Sequence, residues 1–281
     1  MKCFFVSDIH GKISRYEKLF EEIIKQRPGT LFMGGDLLPH GMKPVEGIDD
    51  FTDDFLIPRF RELKKKLGEG YPEVFIILGN DDARSEEEAI RNESLTGTWH
   101  YAHCKWFDLS GYRVCGYSYV PPTPFRMKDW EKYDVSRFVD PGCIPPTEGF
   151  RTVEPVEDIE YGTIKKDLEK LSAEEDIPKS IFLFHSPPYK TKLDRAALDG
   201  RMVDHVPLDV HVGSIAITRF IEDRKPYLTL HGHIHESTRL TGHWKERLGS
   251  TLAFNAANDS EELAIINFDL NDPESAERIL L

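Results

Sequence analysis

Three imidazoles fall within five residues at His231, His233 and His235, directly after the apolar run Tyr227-Leu228-Thr229-Leu230. Packing gives no reason for such a cluster, whereas a metal site at the end of a strand does, because neutral imidazole is the commonest protein metal ligand. Four other apolar runs end in the same way. Phe4-Phe5-Val6 leads to Asp8 and His10, Leu31-Phe32-Met33 to Gly34-Gly35-Asp36, Val74–Leu78 to Gly79-Asn80-Asp81-Asp82, and Ile181–Phe184 to His185. Together Asp8, His10, Asp36, Asn80, His185, His233 and His235 offer oxygen and nitrogen donors without a thiolate. That set suits two divalent ions, with Mn²⁺ first and Fe²⁺, Zn²⁺, Co²⁺ or Ni²⁺ as alternatives, better than a structural zinc. Two such ions roughly 3.5 to 4 Å apart, bridged by one carboxylate, can hold a hydroxide at neutral pH. They also stabilise the attacking and leaving oxygens of a displacement at phosphorus.

Residues this distant in sequence meet only if a fold gathers their loops. An open α/β sheet does so, since its ligands bind beyond the carboxyl ends of the strands. The first third of the chain reads as such a unit: strands at 2–7, 30–34 and 73–78, alternating with helical periodicity from Ser14 to Gln26 and from Asp50 to Leu67. Ser14 to Glu17 fits a capping box, Pro58 can kink the second helix, and Lys64-Lys65-Lys66 suits a helix C-terminus. Asp49, Asp50, Asp53 and Asp54 suit a helix N-terminus. After a short acidic helix at 85–93 the rhythm changes to shorter strands at 98–102, 105–109 and 112–117, which implies a second sheet. A helix at 158–172, a strand at 180–184, a helix at 214–223 and a strand at 226–230 follow, with closing strands at 251–255, 263–269 and 277–281. The long stretches 118–160 and 186–212 are expected to border the site, the first as a lid over it.

The 281 residues, 40% of them hydrophobic, can form one domain with a sizeable core. A net charge of −13 argues against an extended nucleic-acid footprint but not against a small anionic substrate, because bound cations invert the local field. Cys3, Cys104, Cys115 and Cys143 form no C-x-x-C pair, so reduced thiols are expected. No apolar run is long enough for a membrane span or a signal-peptide core, and a cytoplasmic location is the simplest expectation.

Asp8-x-His10, Gly35-Asp36, Gly79-Asn80-x-Asp82, His185 and Gly232-His233-x-His235, in this order over residues 8 to 235, resemble the calcineurin-like metallophosphoesterase family. The resemblance implies a four-layer α/β/β/α sandwich with two mixed sheets. It also implies that Asp8, His10 and His235 hold one metal, that Asn80, His185 and His233 hold the other, and that Asp36 bridges. The family's third block usually has histidine where this chain has Asp81, and that histidine protonates the leaving group while the following acidic residue, here Asp82, orients it. Asp81 with two cations nearby would favour its ionised form and so donate poorly. His40, His211 and His231 are therefore candidates for the missing acid, with His231 also expected to stand behind the ligands. Arg84 is the first choice for gripping phosphate oxygens, ahead of Lys190, Lys192 and Arg195. His100, His103 and His243 are assigned no role, and His205 lies in the loop around the site. These readings favour a phosphodiesterase acting on a small phosphoester, with nucleotides and cyclic nucleotides in view. A phosphomonoesterase or nucleotidase, or a non-catalytic scaffold that keeps the fold, are the alternatives.

Overall fold

A computed structural model describes residues 1–43 and 45–281. Fourteen strands are described: β1 (Lys2–Val6), β2 (Thr30–Gly34), β3 (Glu73–Ile77), β4 (His100–Tyr101), β5 (Trp106–Leu109), β6 (Tyr112–Tyr117), β7 (Ser180–Phe184), β8 (Met202–Val203), β9 (Val206–Pro207), β10 (Leu228–His231), β11 (Lys245–Leu248), β12 (Thr251–Asn255), β13 (Ala264–Asp269) and β14 (Asp272–Leu280). They make two six-stranded mixed sheets, ordered β14-β13-β1-β2-β3-β4 and β11-β12-β10-β7-β6-β5, with β8 and β9 forming a separate ribbon. The helices are α1 (Ile13–Gln26), α2 (Ile57–Leu67), α3 (Glu87–Ser94), α4 (Ile164–Leu171), α5 (Ile215–Arg224) and α6 (Ser237–Thr241).

Alternation along the strands divides the core into layers. Phe5, Phe32, Phe75, Leu183, Leu230 and Phe254 face one another between the sheets. Their neighbours Phe4, Leu31, Val74 and Phe182 point the other way and pack with the helices, among them Leu19 and Ile23 of α1, Phe60 of α2 and Phe220 of α5. The result is the expected sandwich, with a dry core between the sheets and an apolar layer under the helices on each outer face. β1, β2 and β3 run parallel, as do β6, β7, β10 and β12, so the loops that follow β1, β2, β3, β7 and β10 emerge at strand carboxyl ends.

Several boundaries differ from the sequence reading. The capping box at Ser14 does not form: α1 starts one residue earlier, with Lys12 as a cap that contributes no side-chain bond. The helix expected from 158 begins at Ile164, where Thr163 caps it by accepting from the Lys166 amide. β11 was not anticipated, because Lys245-Glu246-Arg247-Leu248 is an edge strand whose charge hides its β character. Asp50 does cap the turn leading into α2, accepting from the Asp53 amide. All four cysteines are free. No helix among the described residues is long and apolar enough to cross a membrane.

The stretch 120–160 is held by its own buried groups. Lys128 and Glu131 form an ion pair of 2.5 Å with both side chains fully buried, and Glu131 also accepts from the Thr123 amide at 2.7 Å. Asp134 caps α5 by accepting from Ser214 Oγ and the Ile215 amide.

Candidate metal centre

The five loops converge, and they do so through strained backbone. Asp8, His10, Asp36 and His233 have φ values of 57°, 53°, 52° and 72°. Positive φ is uncommon outside glycine and gathers at functional sites, where the surrounding structure holds it in place. The loops are also pressed together closely enough to require glycine. A Cβ at Gly79 would strike Asp36 and His185, and one at Gly232 would strike Ser7 and Asp8. The glycines before Asn80 and His233 therefore bring ligand loops from different strands into contact.

Three groups of possible ligand atoms result among the described residues: His10, His40 and Asp81 form one, and the other two share Asp36. Ligand atoms of Asp8, His10, Asp36 and His235 lie within 4.8 Å of one another, and so do those of Asp36, His185 and His233. Asp36 belongs to both: its Oδ2 is 3.9 Å from His10 Nε2 and 3.3 Å from His185 Nε2. Asn80 Oδ1 lies 3.1 Å from His185 Nε2, which adds the amide to the second group. His235 Nε2 is 3.1 Å from Asp8 Oδ1 and 3.0 Å from His10 Nε2. The His233 amide donates to both oxygens of Asp8, at 3.0 and 3.1 Å, and fixes that carboxylate between β1 and β10.

The outer nitrogens of two imidazoles are already engaged. His185 Nδ1 donates to the Gly34 carbonyl at 2.8 Å, and His10 Nδ1 donates to Asp81 at 3.1 Å. Each bond sets the tautomer and leaves the Nε2 lone pair facing inward, as a ligating imidazole requires. Two carboxylates and several inward lone pairs in a buried space repel one another unless positive charge sits among them. Burial alone would depress the histidines, yet Asp81, Asp36 and Asp8 raise His10 to about 9, and Asp36 likewise raises His185 to about 9. Despite burial, His235 and His185 hold Asp8 below the usual carboxylate range. His233 goes the other way, down to about 3, through burial and the neighbouring His185 charge. The residues present fit two divalent cations of the imidazole- and carboxylate-binding class, sharing Asp36.

The remaining residues singled out in the sequence occupy distinct positions. Asp81 faces the first group from outside: its Oδ2 accepts from His10 Nδ1 and from His40 Nδ1, while its amide donates to Asp36 Oδ1 at 2.8 Å. Asp82 is fully buried and accepts from the amides of Leu37, Leu38 and Gly79, so it ties the loop after β2 to the loop after β3 and is shut away from solvent. Arg84, the first choice as a phosphate clamp, has its guanidinium on Glu157, Glu87 and Tyr119, over the Trp130 ring. It anchors the 120–160 stretch and makes no contact with the donor groups among the described residues. His211 binds Asp194 at 2.7 Å and lines a cavity of about 500 Å³ between the two long loops, together with Tyr189 and Leu208. Lys190 lies against the Tyr189 ring, and Arg195 pairs with Asp199. His231 is fully buried, with Nδ1 on the Ser186 carbonyl and Nε2 on Thr229 Oγ1. Both of its nitrogens are thereby committed.

Sequence reasoning missed Arg15, a buried residue of α1 whose guanidinium donates to the Asp8 carbonyl at 2.6 Å and to the Ser260 carbonyl at 2.6 Å. Its position on the inner face of α1, between Leu19 and the first ligand loop, was the available signal.

The family model described as calcineurin-like phosphoesterase matches residues 1–237. No curated protein is significantly similar to the chain in sequence. Among solved structures, one crystal structure superposes with a TM-score of 0.62 at 16% identity, covering 99% of this chain and 98% of the other. The crystal structure of TT1561 of Thermus thermophilus gives 0.60 at 19% identity, with 99% and 98% covered. At these identities the likeness is one of fold. A structure described as a novel archaeal phosphodiesterase aligns over 100% of both chains with a TM-score of 0.45 and 11% identity.

Proposed function

Because the chain belongs to the calcineurin-like phosphoesterase family, and is on that ground a metal-dependent phosphoesterase, we propose that it hydrolyses small phosphodiesters with two divalent ions held by Asp8, His10, Asp36, His235, Asn80, His185 and His233. The observation that carries this reading is Asp36, one carboxylate whose Oδ2 faces both donor groups. When bound, the ions would supply a nucleophilic hydroxide and neutralise charge on the phosphoryl oxygens. The protein supplies the rest. Asp36 sets the spacing of the pair, Gly34 and Asp81 orient the imidazoles of His185 and His10, and Asp82 keeps the loops after β2 and β3 in register. Mn²⁺ is the favoured ion on the donor set, which is rich in oxygen and imidazole and lacks sulfur.

The preference for diesters rests on charge. Asp81 adds a third carboxylate to a site that already contains Asp8 and Asp36, and a phosphomonoester brings up to two negative charges where a diester brings one. The extra repulsion disfavours the dianion. Nucleotide-like and cyclic-nucleotide diesters are the substrate class in view, and the 118–160 and 186–212 stretches are proposed to border the substrate. Protein loaded with Mn²⁺ should hydrolyse bis(4-nitrophenyl) phosphate faster than 4-nitrophenyl phosphate. Faster turnover of the monoester would favour the phosphomonoesterase reading, and absence of any turnover would favour a scaffold.

A further inference from the structure

An alkoxide or unactivated phenoxide leaving group departs from phosphorus far more readily if it is protonated as it leaves. Asp82 is fully buried and held by three backbone amides. His231 is buried with both nitrogens engaged, and His211, paired with Asp194 at one nitrogen, lines the cavity between the two long loops and bonds to none of the donor residues among those described. Asp81 accepts bonds from two imidazoles and an amide.

His40 differs from all of these. It follows β2 by a short loop, its side chain is 60% exposed, and its Nδ1 donates to Asp81 Oδ2. The same oxygen receives His10 Nδ1, and the His40 ring stands edge-on to the His10 ring with centroids 6.1 Å apart. The Gly41 amide donates to the other oxygen of Asp81 at 3.3 Å, so the carboxylate gathers the loop carrying His40 against the centre. Nε2 of His40 has no partner among the described residues. An imidazole fixed at one nitrogen by a carboxylate and open to solvent at the other is the arrangement in which histidine acts as a proton donor.

We propose that His40 is the proton donor to the leaving group of the hydrolytic reaction, with Asp81 as its positioning residue. This rests on the phosphoesterase reading above. As the oxygen of water bonds to phosphorus, the bond from phosphorus to the leaving oxygen breaks with its electron pair on that oxygen. That oxygen takes the proton from His40 Nε2, solvent accepts the proton lost by the attacking water, and solvent reprotonates the ring. One water is consumed per ester cleaved. The chain thus carries the carboxylate on the loop after β3 and the imidazole on the loop after β2, and the two meet in space.

The test compares wild type and His40→Ala, both loaded with Mn²⁺, on methyl 4-nitrophenyl phosphate and methyl phenyl phosphate. Loss of a general acid falls on the poorer leaving group, so the variant should lose on the order of 10² to 10⁴-fold on the phenyl ester and far less on the nitrophenyl ester. Added imidazole should restore part of the phenyl ester rate, and bound manganese, read by atomic emission, should match wild type. Equal losses on both esters, no rescue, or a fall in bound manganese would overturn the proposal, the last by placing His40 in metal binding. A wild type inactive on both esters despite full metal loading would overturn the phosphoesterase reading instead.

Discussion

Asp81 reaches only one of the two donor groups, and that makes its removal informative. Its Oδ2 accepts from His10 Nδ1 at 3.1 Å, whereas the imidazole of the second group, His185, takes its orientation from the Gly34 carbonyl at 2.8 Å. The bond from Asp81 to the shared ligand Asp36 comes from the main-chain amide and survives substitution. Asp81→Ala should therefore weaken the ion held by Asp8, His10, Asp36 and His235 and spare the other. Removing a carboxylate that orients a ligating histidine costs about 10- to 100-fold in metal affinity, or about 1.4 to 2.7 kcal/mol. Calorimetric titration of metal-free protein with Mn²⁺ should show two sites in wild type, and in Asp81→Ala one site weaker by that factor with the other within about threefold of wild type. Equal weakening of both sites, or of neither, would refute the division of the ligands into two groups that share Asp36.

Two further expectations concern the frame around the centre. His231 is buried and neutral, and burial depresses it from 6.5 to about 4. The unfolded chain then binds the proton that the folded chain refuses, so stability present above pH 6.5 is lost as pH falls toward 4, by about 3 kcal/mol in all. The difference in urea midpoint between wild type and His231→Gln should shrink over that window, and a constant difference would contradict the neutral assignment. In the 120–160 stretch, Glu131→Ala leaves the Lys128 ammonium buried without its partner, which should cost about 3 to 5 kcal/mol. The double replacement Lys128→Met with Glu131→Leu should recover most of that in the same denaturation measurement. A single-variant cost under about 1 kcal/mol would show that the pair is not buried as described.

The sequence made the strand ends legible because each pairs two unlike signals, an apolar run and then a polar donor, and no packing argument produces the second. Asp8, His10, Asp36, Asn80, His185, His233 and His235 all lie where those runs end, and the structure brings them into two adjoining groups. The change of rhythm after residue 95 placed the passage to the second sheet one strand too early: β4 pairs with β3 in the first sheet, and the second sheet begins at β5. Contacts across the chain were not legible. Nothing local to Arg84 announces Glu157, 73 residues away, so an arginine held in a salt bridge read as a phosphate clamp. Asp81 and His40, 41 residues apart, are joined by a side-chain bond that no spacing rule anticipates. Charged edge strands such as β11 escape because their polarity, which protects the edge, also masks the pattern.

Hydrolysis of an aryl phosphodiester as a function of bound metal tests the central claim most directly. Wild-type protein stripped of metal and titrated with Mn²⁺ should gain turnover of bis(4-nitrophenyl) phosphate in step with occupancy, reaching its maximum near two ions per chain, and Asp36→Ala and His233→Ala should abolish it. Full activity in either variant, or activity that persists without metal, would contradict the account.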